Sequence, residues 1–296
     1  MDAKLETFLA VCETKNFTSA ANKLHLTQPA VSQHIKQLEQ EYGVKLFTRV
    51  NNEMVLTKDG EIMFKYANRI QSLYDNLSRK LLESKKYTKY LTVGITHTSE
   101  SNITPEILAE YSNENGGLHI KVVSDTIKNL YDKLSNYQID LAIIEGKVNL
   151  KKFSSILLGT DSLMAVMSIS NPLAEKKVVT IDDLKKERLV LRTLESGTTS
   201  LFIDELEKNN LSIDDFQIYL ELDSVGSIKD LIIKNFGVSI LPRSACVKEI
   251  KEKQLVAVPI ENLNMVREIS LAYMDGNVER EVLEGISSIY QLRVSE

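Results

Sequence analysis

The sequence predicts a multidomain α/β protein: an N-terminal winged helix-turn-helix, a long linker helix and a C-terminal α/β domain. Three observations predict it. The run "LTQPAVSQHIKQLE", residues 26–39, reads as a helix that opens on a proline and sets uncharged polar residues against an apolar stripe. The run "KDGEIMFKYANRIQSLYDNLSRKLLESKKYTKY", residues 58–90, carries an apolar stripe along its length with no proline and its one glycine, Gly60, at the start. From Tyr90 onward, short β-prone runs alternate with helical ones, the pattern of a sheet covered by helices.

The N-terminal elements come first. Leu5, Phe8, Leu9 and Cys12 form the stripe of a first helix. A short second helix follows in "NFTSAANKLHL", capped by Thr18 or Ser19 and holding Ala20, Ala21 and Leu24. A third helix starts near Gln28 and Pro29, because proline is tolerated in a first turn, and Thr27 is placed to accept an orphan backbone N–H. Val31, Ile35, Leu38 and Tyr42 fall on one face of it. Pro29, Gln33, Lys36, Gln37 and Gln40 fall on the other, with Ala30 and Ser32 on the flanks. Glutamine can pair with an adenine edge, serine with any base, and a small alanine can meet a thymine methyl. A plain amphipathic surface helix would share this pattern, but the tight helix-turn-helix connection ahead of it favours a helix for the major groove. "VKLFTRV" and "EMVLT" then read as a hairpin turned through Asn51 and Asn52, since asparagine tolerates left-handed geometry.

Residues 1–66 resemble the N-terminal domain of the LysR-type transcriptional regulators. The resemblance lies in "FLAVCETKNFTSAANKLHLTQPAVSQHIKQLEQEYGVKLFTR" and "LTKDGE", in the family's order and with its gaps. It implies that Thr27, Gln28, Pro29, Ala30, Ser32, Gln33, Lys36 and Arg49 face DNA. Family wings often carry arginine or lysine at the tip; here the tip is "NNE", with Arg49 at its base.

Charge divides along the chain. Residues 1–89 carry 14 Lys+Arg against 10 Asp+Glu, a net of +4, and the remainder carries 22 against 31, a net of −9, within a chain of −5 overall. The positive end is where DNA would lie, and its modest excess calls for a dimer that doubles the phosphate contacts. No apolar run is long enough to span a bilayer, no signal-peptide pattern opens the chain, and Cys12 and Cys246 are isolated thiols without metal spacing. The expectation is a cytoplasmic protein without cofactor or metal. In the linker, Ile62, Tyr66, Ile70, Leu73, Leu77 and Leu81 make a near-heptad stripe that two copies can bury against each other. Family members dimerise through this helix, so the expected assembly is a dimer through the linker, and a tetramer built from it. The expected divisions are 1–58 for DNA binding, 59–89 for the linker and 90–296 for effector binding.

Beyond Tyr90 the strands "LTVGIT", "LHIKVVS" and "IDLAIIEG" alternate with helices across "PEILAEYSNEN" and "TIKNLYDKLSN", a βαβαβ series that predicts a parallel sheet. "DSLMAVMS", "ERLVLR", "IYLEL", "GVSIL", "LVAVPI" and "REISLAYM" supply further strands. Helices fall from about Thr199, across "VGSIKDLIIKNF", from "RSACVKEI" and from Asn277. The resemblance implies two lobes of the periplasmic-binding-protein type, residues 90–161 with 268–296 and residues 162–267, around a hinged cleft. "FGVSILP" and "IDLAIIEG" match the family pattern; "NYQIDLA" departs from it, with Tyr137 and Gln138 where a glycine is common.

Ligands of open α/β sheets sit beyond the carboxyl ends of strands. "ITHTSESN" offers Thr96, Thr98 and Ser99 there, and "LRTLESGTTS" offers Ser196, Gly197 and Thr198 just before a helix. Hydroxyls and free N–H groups at a helix start suit an anion or carboxylate, although serine and threonine also cap helices whatever the function. Glu145 would face the same cleft, to repel a second negative charge or to hold an ammonium group, and Val225 opens the helix of "VGSIKDLIIKNF" beside it. "THT" is similar to the cysteine-metabolism branch of the family, which recognises small sulfur-related anions or O-acetylserine-type molecules. An enzyme is disfavoured: no GxSxG, HExxH, GxxxxGK[ST] or GxGxxG is present, and His97 lacks an identifiable partner for base catalysis. A solute-binding protein acting alone is disfavoured by the attached DNA-binding domain. The sequence therefore predicts a DNA-binding transcriptional regulator whose partners are a double-stranded operator, a small-molecule effector and further copies of itself, with no membrane contact.

Overall fold

Side-chain caps set where the first helices begin. The computed structural model describes residues 1–51, 53–86, 89–149 and 151–294, with side chains for all of these except 83–86. Helix α1, Ala3–Thr14, starts at Asp2, whose carboxylate accepts from Lys4 N at 2.7 Å. Helix α2, Phe17–Leu24, is capped by Asn16, which accepts from Thr18 N and Ser19 N at 2.8 and 3.0 Å. The expected cap at Thr18 or Ser19 is thus two or three residues late, because Asn16 holds the extended backbone a cap needs. Helix α3, Gln28–Tyr42, is capped by Thr27 with Pro29 in its first turn. His25, at φ 55°, turns the chain between α2 and α3. Phe8, Val11, Ala20, Ala21, Val31, Ile35 and Leu38 close one core. Tyr42 is 56% exposed rather than part of that stripe; the helix stops at Gly43, so no further turn covers it.

Strands β1, Phe47–Val50, and β2, Glu53–Leu56, pair antiparallel as the expected hairpin. Asn51 takes the left-handed turn conformation at φ 49°; Asn52 lies outside the described residues. Helix α4, Lys58–Lys86, follows at once. Thr57 fixes its start, donating its hydroxyl to Lys45 O and accepting from Gly60 N. Gly60 is required here, since a Cβ would stand 2.1 Å from the Leu46 carbonyl oxygen. Ala67 of α4 joins the N-terminal core, whereas Ile62, Tyr66, Ile70, Leu73, Leu77 and Leu81 are all exposed.

The chain divides into two compact units, Met1–Lys89 with Ser135–Gln138, and Tyr90–Leu134 with Ile139–Glu296. The second contains, in order, β3 (Lys89–Thr96), α5 (Thr104–Glu114), β4 (Leu118–Asp125), α6 (Ile127–Ser135), β5 (Leu141–Glu145), β6 (Ser154–Ser168) and α7 (Ile181–Leu184). Then come β7 (Arg188–Arg192), α8 (Gly197–Lys208), β8 (Gln217–Leu222), α9 (Val225–Ile233), β9 (Ser239–Pro242), α10 (Val247–Lys251), β10 (Leu255–Val258), β11 (Val266–Tyr273) and α11 (Arg280–Val294).

β3 and β5 are parallel, as the βαβαβ pattern requires. The whole sheet is mixed, however, in the order β10-β6-β11-β5-β3-β4, with β9 also on β6. β11 runs antiparallel to both β5 and β6, because it returns the chain from the second lobe to the first. The sequence reading begins β6 at Asp161, yet the strand starts at Ser154. Its first half is only partly buried, with Leu157 54% exposed and Gly159 interrupting the apolar run, which hides it from a pattern search. Each lobe has its own core. One gathers Leu91, Val93, Ile95, Tyr111, Ile143, Ile286 and Tyr290. The other gathers Leu163, Ala165, Leu189, Phe202, Val238 and Ile240. β6 and β11 pass between them, with Asp161 opposite Arg267.

The contact at Gly60 yields a stability test. Gly60→Ala must displace the Leu46 carbonyl or the start of α4, and overpacking of that kind costs about 1–3 kcal/mol. A lower urea midpoint of unfolding for the N-terminal unit is expected; an unchanged midpoint would show that the junction yields freely.

Candidate functional site

The carboxyl ends of the strands from both lobes face a cleft of about 620 Å³. The first lobe contributes Thr96, His97 and Thr98 after β3, Asp125 to Lys128 between β4 and α6, and Glu145 at the end of β5. The second contributes Arg192, Thr193, Asp223 and the start of α8 from Glu195 to Thr198; Arg267 of β11 completes the wall. Of the residues the sequence assigns to an effector, Thr96, Thr98, Glu145, Ser196, Gly197 and Thr198 line this space. Ser99 and Val225 do not. Ser99 is fully buried and turned into hydrogen bonds with Glu145 and Thr96. Val225 is 3% exposed and packs with Val166 and Ile228, because Ser224 caps α9 and leaves its first residue pointing into the lobe core.

Glu145 is heavily engaged. It accepts from Thr96 Oγ1 at 2.8 Å, Ser99 Oγ at 3.0 Å and Asn102 Nδ2 at 3.0 Å. Arg267 Nη2 stands 3.0 Å from it, and 3.5 Å from Asp161. A carboxylate has room for about four donors, so these three bonds with the Arg267 charge beside them leave Glu145 little capacity for an ammonium group. Glu145 thus braces the wall of the cleft and keeps its negative charge there. The Arg267 contact is one of charge rather than an aligned hydrogen bond, since Nε and Nη2 have no acceptor in line.

At the second lobe, Ser196 caps α8 by accepting from Thr199 N at 3.2 Å and donates to Thr199 Oγ1 at 3.1 Å. Its hydroxyl is thereby engaged in capping. Thr198 differs: its Oγ1 is buried and without a partner. Thr98, from the first lobe, accepts from Arg192 Nη1 at 3.2 Å, a direct bond across the cleft. Arg192 also reaches Asp223, through Nε to its carbonyl at 3.2 Å and through Nη2 to its carboxylate at 2.5 Å. At Asp125, burial pushes the carboxyl up, but hydrogen bonds from Lys133, Asn129 and the Thr126 N–H prevail and hold it below its ordinary value. Sequence reasoning misses Arg192, Arg267 and Asp223. The available signal was a charge closing or opening an otherwise apolar strand, in "ERLVLR" and "REISLAYM"; a buried charge must find a partner.

In the first unit, Thr27, Gln28, Pro29, Gln33 and Lys36 of α3 are exposed, Ala30 and Ser32 half-buried, and Arg49 is exposed on β1 opposite Met54. Gln28 Nε2 donates to Ser32 Oγ at 2.9 Å, so two of these groups satisfy one another. His34, which the sequence does not single out, orients the helix. Thr7 donates its hydroxyl to Ala3 O, and so accepts from His34 Nδ1–H at 2.8 Å, tying α3 to α1. Burial pushes the Cys12 and Cys246 thiols up to about 12, which keeps both protonated. Among the described residues no cluster of three His, Cys, Asp or Glu could hold a metal, and no helix is long and apolar enough to cross a membrane.

Known proteins share this arrangement. Residues 3–61 match the model for the bacterial regulatory helix-turn-helix protein, lysR family, and residues 85–285 match the LysR substrate binding domain. The chain is 30% identical over 291 residues to a probable RuBisCO transcriptional regulator of Phaeodactylum tricornutum, covering 96% of this chain and 94% of that one. It is 28% identical over 292 residues to the HTH-type transcriptional regulator CysL of Bacillus subtilis, covering 97% of each. Full-length CbnR, solved in complex with its target DNA, shares the fold at a TM-score of 0.70, with 19% identity and 99% of each chain covered.

The engagement of Glu145 predicts a structural cost. Glu145→Gln leaves Arg267 with Asp161 alone as its counter-charge, a loss bounded by the about 3–5 kcal/mol that breaking a buried pair outright costs. Denaturant unfolding of the full chain should register that loss with no ligand present. A stability equal to wild type would return Glu145 to the group of ligand-facing residues.

Proposed function

This chain belongs to the LysR family of transcriptional regulators, and on that premise we propose how its residues divide the work. The protein is a DNA-binding regulator controlled by a small-molecule effector, not an enzyme. Residues 1–58 read DNA, 59–89 join two copies, and 90–296 bind the effector, within the cytoplasm. The observation that carries the reading is the exposed polar face of α3, held by the Thr27 cap and the His34–Thr7 bond over a buried apolar face. Thr27, Gln28, Pro29, Ala30, Ser32, Gln33 and Lys36 meet the major groove, with Gln28 and Ser32 exchanging their mutual bond for contacts to base edges. Arg49 meets phosphate from the base of the wing. The effector is a small anion, met by Thr98, Gly197 and Thr198 at strand and helix ends, with Thr96 and Ser196 holding the loops in place. It binds one lobe arrangement better than another and so shifts the geometry of the assembled regulator on DNA.

A gel shift with the DNA upstream of the protein's own gene tests the reading, and absence of any sequence-dependent shift would refute it. Gln33→Ala should cost about 1–3 kcal/mol of operator affinity and relax preference at one base position, whereas Lys36→Ala, as a phosphate contact, should weaken all sequences alike and lower the salt slope by about one. Equal affinity of both variants and wild type for the operator would remove α3 from the groove.

The exposed stripe of α4 is the proposed seam between copies. Leu73 and Leu77 are 47% and 55% exposed, and aspartate at either would put an unpaired charge into a packed seam. Leu73→Asp and Leu77→Asp should shift the full chain to smaller species in sedimentation and weaken operator binding with it. An unchanged sedimentation profile would place the contact elsewhere.

A further inference from the structure

Arg192 and Arg267 are both buried cations of the cleft wall, but Arg267 stands between two carboxylates whereas Arg192 meets one, Asp223. Arg192 is 5% exposed at the end of β7. A guanidinium has five N–H donors, and three are engaged here, Nε and Nη2 by Asp223 and Nη1 by Thr98. One N–H therefore remains on each terminal nitrogen, the kind of pair that grips a carboxylate with two bonds. A second observation points to the same spot. Thr198 is 1% exposed, lines the cleft, and its hydroxyl has no partner. The first-turn N–H groups of α8 beside it have no acceptor within the helix.

Charge selects the ligand class. The wall carries Lys128, Arg192 and Arg267 against Asp125, Glu145, Glu195 and Asp223, with His97 as the further titratable group. Arg267 already faces two carboxylates, Glu145 and Asp161. A dianion would meet more negative than positive charge, whereas one carboxylate is matched by the donors that Arg192, Thr198 and the α8 start leave open. Resting on the reading of this cleft as the effector site, we infer that Arg192 and Thr198 hold the carboxylate of a small monocarboxylate effector. Because Arg192 also bonds to Thr98 on the opposite lobe, the bound carboxylate is secured at a point where the lobes already touch.

The test uses the full chain and simple probes. Thermal unfolding is followed in sodium acetate and, separately, in sodium sulfate at matched ionic strength, for wild type, Arg192→Gln and Thr198→Val. A ligand that binds only the folded state raises the melting temperature in a saturable way. Acetate should do so for wild type, with an apparent affinity weakened roughly tenfold or more in each variant, while sulfate acts on all three alike. Thr198→Val nearly keeps side-chain volume and removes no buried charge, so it carries the test if Arg192→Gln fails to fold. The inference is overturned by an acetate effect equal in all three proteins, by no saturable acetate effect in wild type, or by a larger, Arg192-dependent effect of sulfate. Operator binding by the wild-type chain is read separately: its absence sinks the regulator reading and leaves the acetate result to stand or fall alone.

Discussion

A guanidinium buried where β6 and β11 pass between the lobes constrains everything around it. Arg267 is 8% exposed and stands between Glu145 and Asp161. Taking three charges out of water is costly, and mutual attraction offsets the cost only when the remaining lone pairs are also met. The surrounding sequence meets them. Asp161 accepts from Ser162 N and from both the N–H and hydroxyl of Ser244, and Glu145 accepts from Thr96, Ser99 and Asn102. The polar richness of the loop after β3 thus has a cause that precedes any ligand. Much of "THTSESN" exists to make a buried carboxylate tolerable, and only what is left over is free to recognise an effector.

The two lobes consequently present unequal faces to the cleft. On the first, the hydroxyls of Thr96 and Ser99 are engaged with Glu145, and Thr98 is engaged with Arg192. On the second, Ser196 is engaged by capping, while Thr198 and part of Arg192 remain open. A small anion entering this space finds buried donors to spare on the second lobe, while Thr98, which accepts from Arg192, keeps its own hydroxyl proton on the first. The thiols add nothing to this chemistry: both are held protonated by burial, so neither offers the thiolate that oxidants or metals attack.

How much of this was legible in the sequence depended on how local each cause was. The apolar spacing of Val31, Ile35 and Leu38, the Thr27 cap and the Pro29 start lie within one helix, and the structure holds all of them. The stripe of α4 was equally readable, because a repeat in one helix needs no partner to be seen. The sequence points to Thr18 or Ser19 as the α2 cap in place of Asn16 because all three are competent caps, and only backbone conformation chooses among them. The first half of β6 was missed because a strand exposed on one face and broken by Gly159 lacks the continuous apolar run of its second half. The cleft was half legible. Strand ends and hydroxyl-rich loops marked its position, but the pairing of Glu145 with Arg267, or of Arg192 with Asp223 and Thr98, joins residues far apart in the chain. Which carboxylate is free and which is neutralised cannot be read from either residue alone.

β6 runs from Ser154 to Ser168, with one register shift against β11 between Leu157 and Gly159, and both lobes own it: its first part is laced to β11 and its second to β9 and β10. A hydrogen-bonded ladder resists sliding, because slipping by one residue breaks many bonds together and turns every side chain to the wrong face. It yields more readily to a change of twist, which each bond shares in small measure. Mechanically, then, the lobes are joined by a torsion bar and not by a slack tether. Such a joint springs back when unloaded, its angle grows with the torque applied, and it passes on even a small rotation without backlash.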